Sequence, residues 1–71
     1  MRYAIVIEKG PTSFGAYVPD LPGCVAAAET KDELIHLIRE AIDFHLDTMR
    51  EEGLEVPAPS SSVEYVDAAL A

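Results

Sequence analysis

The stretch PDLPGC at residues 19–24 separates two apolar segments and fixes the path of the backbone between them. Each proline holds its own φ at about −65° and drives the preceding residue towards extended geometry. Gly23 supplies a backbone conformation that a side chain would resist. We therefore expect a stiff corner from which Leu21 projects, a shape that costs little entropy to present for binding. Turn chemistry alone favours a simpler interpretation, in which the stretch only joins two strands.

Alternating apolar residues on the N-terminal side of this corner predict two short strands. Tyr3, Ile5 and Ile7 lie on one side of the first strand, and Phe14–Val18 forms the second. A third apolar run follows at residues 24–28. Its alanines are poor strand formers, but its position between a corner and a helix start supports the assignment.

A capping box opens the helix that comes next. The Thr30 hydroxyl can accept a hydrogen bond from the Glu33 N–H, and the Glu33 carboxylate can accept one from Thr30 in return. The predicted helix extends over residues 31–52. Gly53 then occupies the C′ position, and Leu54 packs back in a Schellman arrangement.

The remaining residues contain prolines and serines and complete a single domain over residues 1–71. Residues 55–62 are predicted to be a linker, and residues 63–71 a short strand, at 63–66, followed by a tail. The expected fold is therefore α+β, with a small antiparallel sheet of three to four strands packed against one long helix in the order β-β-β-α-β.

The apolar surface of the predicted helix is wider than one sheet face can cover. Its arc extends over about 200°, against the roughly 100° that suffices for a helix packed on one sheet. Leu37 and Phe44 lie on one flank of this arc, and His45 lies within it. Either the C-terminal tail covers the surplus or a second subunit does. We expect a homo-oligomer, a dimer or higher, with Leu37, Phe44 and His45 at the interface.

The net charge of the chain indicates which classes of partner it can bind. Thirteen acidic residues against five basic ones give a formal net charge of −8. Such a chain repels nucleic acids, whose binding proteins neutralise phosphates with lysine and arginine. It attracts basic partners and speeds their encounter, although an acidic surface also serves solubility alone.

The sequence contains no pattern that requires an enzyme, a metal or a cofactor. The single cysteine, Cys24, excludes an intrachain disulfide and has no CxxC companion. His36 and His45 are nine residues apart, on opposite faces of the helix. We therefore assign no catalytic residues and no metal ligands. No signal-peptide pattern or membrane-spanning run is present, so we expect a cytoplasmic protein.

Several features together resemble the short HicB-like antitoxins of bacterial and archaeal toxin–antitoxin pairs. The resemblance covers residues 3–59 and is carried by the following motifs: Tyr17 to Cys24, Glu29-Thr30, Asp32-Glu33, Glu40-Ala41, His45-Leu46 and Gly53. It implies a partly degraded ribonuclease-H-like fold. It also implies a protein that binds a small basic ribonuclease toxin, HicA-like, and blocks its access to mRNA.

The resemblance suggests where such a toxin would bind. We expect the corner Pro19, Asp20, Leu21 and Pro22 to meet its RNA-facing surface. Asp20 would accept from a toxin lysine or arginine, and Leu21 would be the apolar anchor. Many family members also carry a C-terminal DNA-binding domain. The given sequence leaves no room for a helix-turn-helix and has no basic arm, so we do not expect autorepression by this chain. Its acidic charge leads us to expect no direct nucleic-acid binding.

Two alternatives remain open from the sequence. The first is a stand-alone homo-oligomeric binding module that has no toxin partner. The second is a degenerate nuclease, suggested by the implied ancestry, whose carboxylates would hold Mg²⁺. Its candidate ligands are Glu8, Asp20, Glu29 and Asp32.

Overall fold

A computed structural model describes residues 1–70. Strands β1 (Val6–Lys9), β2 (Phe14–Tyr17) and β3 (Val25–Ala28) form an antiparallel sheet in the order β1-β2-β3, and helix α1 (Lys31–Glu51) follows. The α+β architecture predicted from the sequence is thereby confirmed.

The register of the sheet separates a helix-facing side from an outer side. Cross-strand neighbours on the helix-facing side include Ile7, Ala16 and Ala26. The row beside them, on the outer side, consists of Val6, Tyr17 and Val25. Because opposed residues in antiparallel strands point to the same face, the outer row is an apolar band that α1 leaves uncovered.

The first strand begins later than its alternating pattern suggests. The ladder starts with Val6, which pairs with Tyr17, the last residue of β2. Beyond Tyr17 the chain already turns into the corner, so Tyr3 and Ile5 have no partner strand. Both still pack against the core as an extended approach to β1.

The helix begins and ends where the sequence predicts, although among residues 1–70 only one of the two capping-box hydrogen bonds is formed. The Glu33 N–H donates to the Thr30 Oγ1 at 3.2 Å, and Thr30 has extended backbone geometry. At the other end, Gly53 has a φ of +71°, and its N–H donates to the Arg50 carbonyl at 3.1 Å. The Leu54 N–H donates to the Met49 carbonyl at 2.9 Å. This pair of bonds is the Schellman motif.

The core lies between α1 and the sheet, mainly over β3 and β2. Its buried members are Ala16, Val18, Leu21, Cys24, Leu34, Ile38 and Leu46. Two of these seven, Leu21 and Cys24, belong to the corner, and Val18 directly precedes it. The corner is therefore part of the core as well as a connection between strands.

The C-terminal segment differs from its prediction. Residues 55–70 contain no regular secondary structure, so the fourth strand expected at 63–66 is not formed. In the part of the chain that the structure describes, no backbone hydrogen bond joins residues 63–66 to a neighbouring strand, and a strand requires such a partner. Val63 and Tyr65 lie beside β1 with exposed side chains. Ala71, the last residue of the expected tail, lies outside the described residues.

Candidate functional site

Two consecutive turns build the corner and share Leu21. The Leu21 N–H donates to the Val18 carbonyl at 3.1 Å, and the Cys24 N–H donates to the Leu21 carbonyl at 3.0 Å. Gly23 has a φ of +85°. A proline followed by a residue with positive φ is the composition that a type II turn needs. The Val18 N–H closes the unit on the Cys24 carbonyl at 3.1 Å.

This geometry reverses the expected orientation of Leu21. Each turn advances the chain by three residues, so Val18, Leu21 and Cys24 all point into the core. Leu21 is only 1% exposed. The expectation that it projects as an apolar anchor is therefore wrong, because its side chain holds the corner onto the sheet and helix. Pro19, Pro22 and Gly23 are the exposed residues of the corner.

Asp20 fastens the C-terminal segment to the corner. Its Oδ2 accepts from the backbone N–H groups of Ser60 and Ser61, each at 2.9 Å. Its Oδ1 accepts from the two hydroxyl groups, at 3.1 Å for Ser60 and 2.7 Å for Ser61. The backbone N–H of Ser61, followed by that of Ser60, lowers the Asp20 pKa from 3.8 to about 2. Hydrogen bonds to the ionised form produce this shift.

A second contact holds the segment just before the serines. The Tyr3 hydroxyl donates to the Pro57 carbonyl. Beyond Ser61 the chain continues past the residues that precede β1, and Val63 lies close to that strand. The C-terminal segment therefore lies on the β1 side of the domain.

A groove on another side of the domain brings together residues that the sequence assigned to two different surfaces. We call it the Phe44 groove; it is lined by Pro22, Phe44, His45, Thr48, Met49, Glu52 and Leu54. Pro22 comes from the expected partner-binding corner, and Phe44 and His45 come from the expected oligomer interface. Sequence reasoning missed this meeting, although the Schellman turn at Gly53 was the signal that Leu54 folds back.

Phe44 is the most exposed residue of the expected oligomer interface. Its side chain is 75% exposed, whereas Leu37 and His45 are half-buried. The described part of the C-terminal segment lies beside β1 and does not cover this ring. Together with exposed Leu54 and Pro22, this ring forms a contiguous apolar patch, the kind of surface that marks interaction sites.

The acidic residues form a largely unpaired surface. All of the aspartates and glutamates are exposed except Asp20, which is half-buried. His36 Nε2 lies 3.1 Å from Glu40 Oε1, and Arg50 Nη1 lies 3.1 Å from Asp47 Oδ1. Glu51 and Glu52 have no ion-pair partner among residues 1–70. The end of α1 next to the Phe44 groove therefore carries negative charge.

The proposed nuclease ligands do not assemble in the described residues. Within the described chain, no cluster of three or more histidine, cysteine or acidic residues has metal-binding geometry. Asp20 is engaged by the two serines. Burial raises the pKa of the Cys24 thiol, which disfavours its nucleophilic thiolate form.

Over residues 1–70, no helix combines the length and apolar character needed to cross a bilayer.

Comparison with known proteins gives a consistent family assignment. A family model described as HicB-like antitoxin of bacterial toxin–antitoxin system matches residues 3–70. An uncharacterized 14.9 kDa protein of Haemophilus phage HP1 is 37% identical over 67 residues, which cover 94% of this chain and 50% of that protein. Antitoxin HicB 2 of Photorhabdus laumondii is 28% identical over 64 residues, which cover 90% of this chain and 46% of that protein. The chain thus spans about half the length of these two relatives.

A solved structure shares both the fold and part of the sequence. It is the HicA3 and HicB3 toxin–antitoxin complex, which matches with a TM-score of 0.72 and 32% identity. The match covers 84% of this chain and 70% of the chain in the complex.

Proposed function

The chain belongs to the family of HicB-like antitoxins, and from this premise we propose that it is the antitoxin of a toxin–antitoxin pair. In this proposal it binds a small basic toxin that cleaves mRNA and covers the surface to which the RNA would bind. The family match over residues 3–70 is the observation that carries the proposal. The likeness to a chain of the HicA3 and HicB3 complex supports a HicA-like partner.

The charge of the chain supports this mechanism. A protein that binds RNA presents positive charge to the phosphates. A chain with a net charge of −8 and exposed carboxylates is attracted to the same positive surface. Complementary potentials raise the association rate and exclude partners of like charge. Inhibition would then be steric and electrostatic, with no catalytic step in the antitoxin.

The corner contributes rigid contacts to this proposal. Pro19 and Pro22 are exposed and held by the two turns, so they lose little freedom on binding. Asp20 accepts from a toxin lysine or arginine only if that cation replaces donors from Ser60 or Ser61. Leu21 acts from inside, by holding the corner in place.

Co-expression tests the proposal directly. The chain is expressed with the small basic protein encoded in a neighbouring reading frame, and that protein alone is the control. We expect the basic protein alone to arrest growth and degrade mRNA. Co-expression should restore growth and give a complex that copurifies. Failure of the two proteins to bind, or metal-dependent RNA cleavage by the purified chain, would contradict the proposal.

A second candidate function is a stand-alone homo-oligomeric binding module without a toxin partner. The exposed Phe44 ring favours this candidate, because residues 1–70 of one copy leave it uncovered and a second copy would bury it together with Leu37 and His45. In this candidate, a second copy of the chain would cover the apolar surface of α1 that the sheet leaves exposed.

Sedimentation of the purified chain tests the second candidate. It predicts a dimer or higher oligomer at micromolar concentration, and Phe44→Ala should dissociate it because the ring is removed from the interface. Val25→Ala, a truncation on the outer side of the sheet, is the matched control. A wild-type chain that stays monomeric would exclude this candidate.

A further inference from the structure

We propose that the Phe44 groove is the surface on which the basic toxin docks, with Phe44 as the central apolar anchor. This assignment rests on the proposed function and adds to it the surface that makes the contact. It gives Phe44 the anchoring role that buried Leu21 cannot perform.

The groove offers apolar area that the folded domain leaves uncovered. Phe44 is 75% exposed and Leu54 is 53% exposed, and both line the groove with Pro22. Aromatic side chains placed near the centre of an interface contribute a large share of its binding energy. Phe44 is the exposed aromatic ring of α1, and it lies beside the corner.

The walls of the groove are fixed before any partner arrives. Phe44 and Met49 lie on α1, and the bond from the Leu54 N–H to the Met49 carbonyl sets the direction of the chain at the end of that helix. Pro22 belongs to the corner, and the buried Leu21 side chain packs that corner against the core. A preformed site loses little conformational entropy on binding.

Charge decides between the two possible occupants. Glu40, Asp47 and Glu51 stand four residues before, three after and seven after Phe44, so they share its side of α1. Glu52 lines the groove itself. Glu40 and Asp47 have partners on α1, but Glu51 and Glu52 have none among residues 1–70. A second copy would bring these two carboxylates close to their own equivalents, whereas a protein rich in lysine and arginine would pair with them. The charges therefore favour a basic protein over a second copy.

A matched pair of truncations tests the anchor. The probe is the small basic protein that copurifies in the co-expression experiment, titrated calorimetrically against each variant. Phe44→Ala is expected to raise the Kd at least about 30-fold, as the loss of a central aromatic contact does. Val25→Ala removes an exposed apolar side chain on the outer side of the sheet and should change the Kd by no more than about threefold. Thermal melting of both variants confirms that each is folded.

A matched pair of charge reversals tests the electrostatic part. Glu51→Lys and Glu8→Lys change the net charge equally, but Glu51 is near the groove and Glu8 is on the outer side of the sheet. We expect Glu51→Lys to slow association more than Glu8→Lys does. Added salt should weaken binding of the wild-type chain, because it screens attraction between opposite charges.

The outcomes separate the surface from the function. If the basic protein binds and Phe44→Ala leaves the Kd unchanged, or lowers affinity no more than Val25→Ala, the groove assignment is wrong while the antitoxin function stands. If no basic protein binds, the function and the groove assignment both fail. If the chain alone forms a Phe44-dependent oligomer that salt strengthens, the occupant is a second copy and the inference is overturned.

Discussion

Replacing Leu21 by alanine should lower the free energy of unfolding by about 2–5 kcal/mol, the usual cost of a large-to-small change in a core. Leu21 is 1% exposed and is the residue that both turns of the corner share. Its removal leaves a cavity where the connection between β2 and β3 is attached to the core. A domain of 71 residues has a total stability of roughly 4–10 kcal/mol, so this one truncation consumes a large part of it.

Thermal unfolding measures this effect. For a domain of this size, each kcal/mol shifts the Tm by about 4–8 °C, so a fall of at least about 8 °C is expected. Leu21→Met keeps the volume and should cost less than about 1.5 kcal/mol. Val25→Ala, in an exposed position, should stay within about 0.5 kcal/mol of the wild type. A Leu21→Ala variant that melts with the wild type would show that the corner is not part of the core.

The parts of the fold that sequence reasoning predicted correctly depend on local interactions. The helix start at Thr30 and the Schellman end at Gly53 each involve hydrogen bonds within five residues along the chain. Capping residues and a glycine after the last turn specify such bonds without help from the rest of the molecule. The first two strands were likewise found from their alternation and differ from the structure only at their ends, and β3 was placed by its position between the corner and the helix. The strand expected at 63–66, which lacked both signals, is not formed.

The direction of the corner could not be predicted from its residue types alone. Proline and glycine specify where the chain turns, but two turns that share a residue also set a three-residue spacing for the inward positions. That spacing places Leu21 in the core beside Val18 and Cys24. An isolated turn would have allowed Leu21 to project. The residue types alone do not distinguish one isolated turn from two turns that share Leu21.

The remaining site features depend on contacts between distant segments. Asp20 and its serine donors are forty residues apart, and the Phe44 groove joins Pro22 to Leu54. Neither pairing leaves a periodic signal in one sequence. The acidic character of the surface, by contrast, follows from composition, because charged side chains are seldom buried without a partner. Charge was therefore the part of the site that sequence reasoning predicted best.

Replacing Asp20 by alanine should release the C-terminal segment without unfolding the domain. The substitution removes the acceptors of four hydrogen bonds from Ser60 and Ser61. We expect the amides of both serines to lose their protection from hydrogen exchange, and the chain beyond Pro57 to become more sensitive to protease. The Tm should change little, because Asp20 does not belong to the core. Asp67→Ala is the matched control, because Asp67 is an acidic residue of the C-terminal segment that accepts no hydrogen bond from Ser60 or Ser61.

Acid should produce the same release in the wild-type chain. The Asp20 pKa is lowered from 3.8 to about 2, chiefly by the backbone N–H of Ser61. A carboxyl group whose pKa is lower in the folded state stabilises that state fully above its unfolded pKa, and the contribution is lost as the pH falls through the folded value. The segment should therefore stay attached above about pH 4 and detach as the pH falls through about 2. Amide chemical shifts of Ser60 and Ser61, followed through an acid titration, measure the midpoint. The double variant Ser60→Ala, Ser61→Ala removes the hydroxyl donors only and should move the midpoint part of the way back towards 3.8. A midpoint already at 3.8 in the wild type would show that the segment is not held by Asp20.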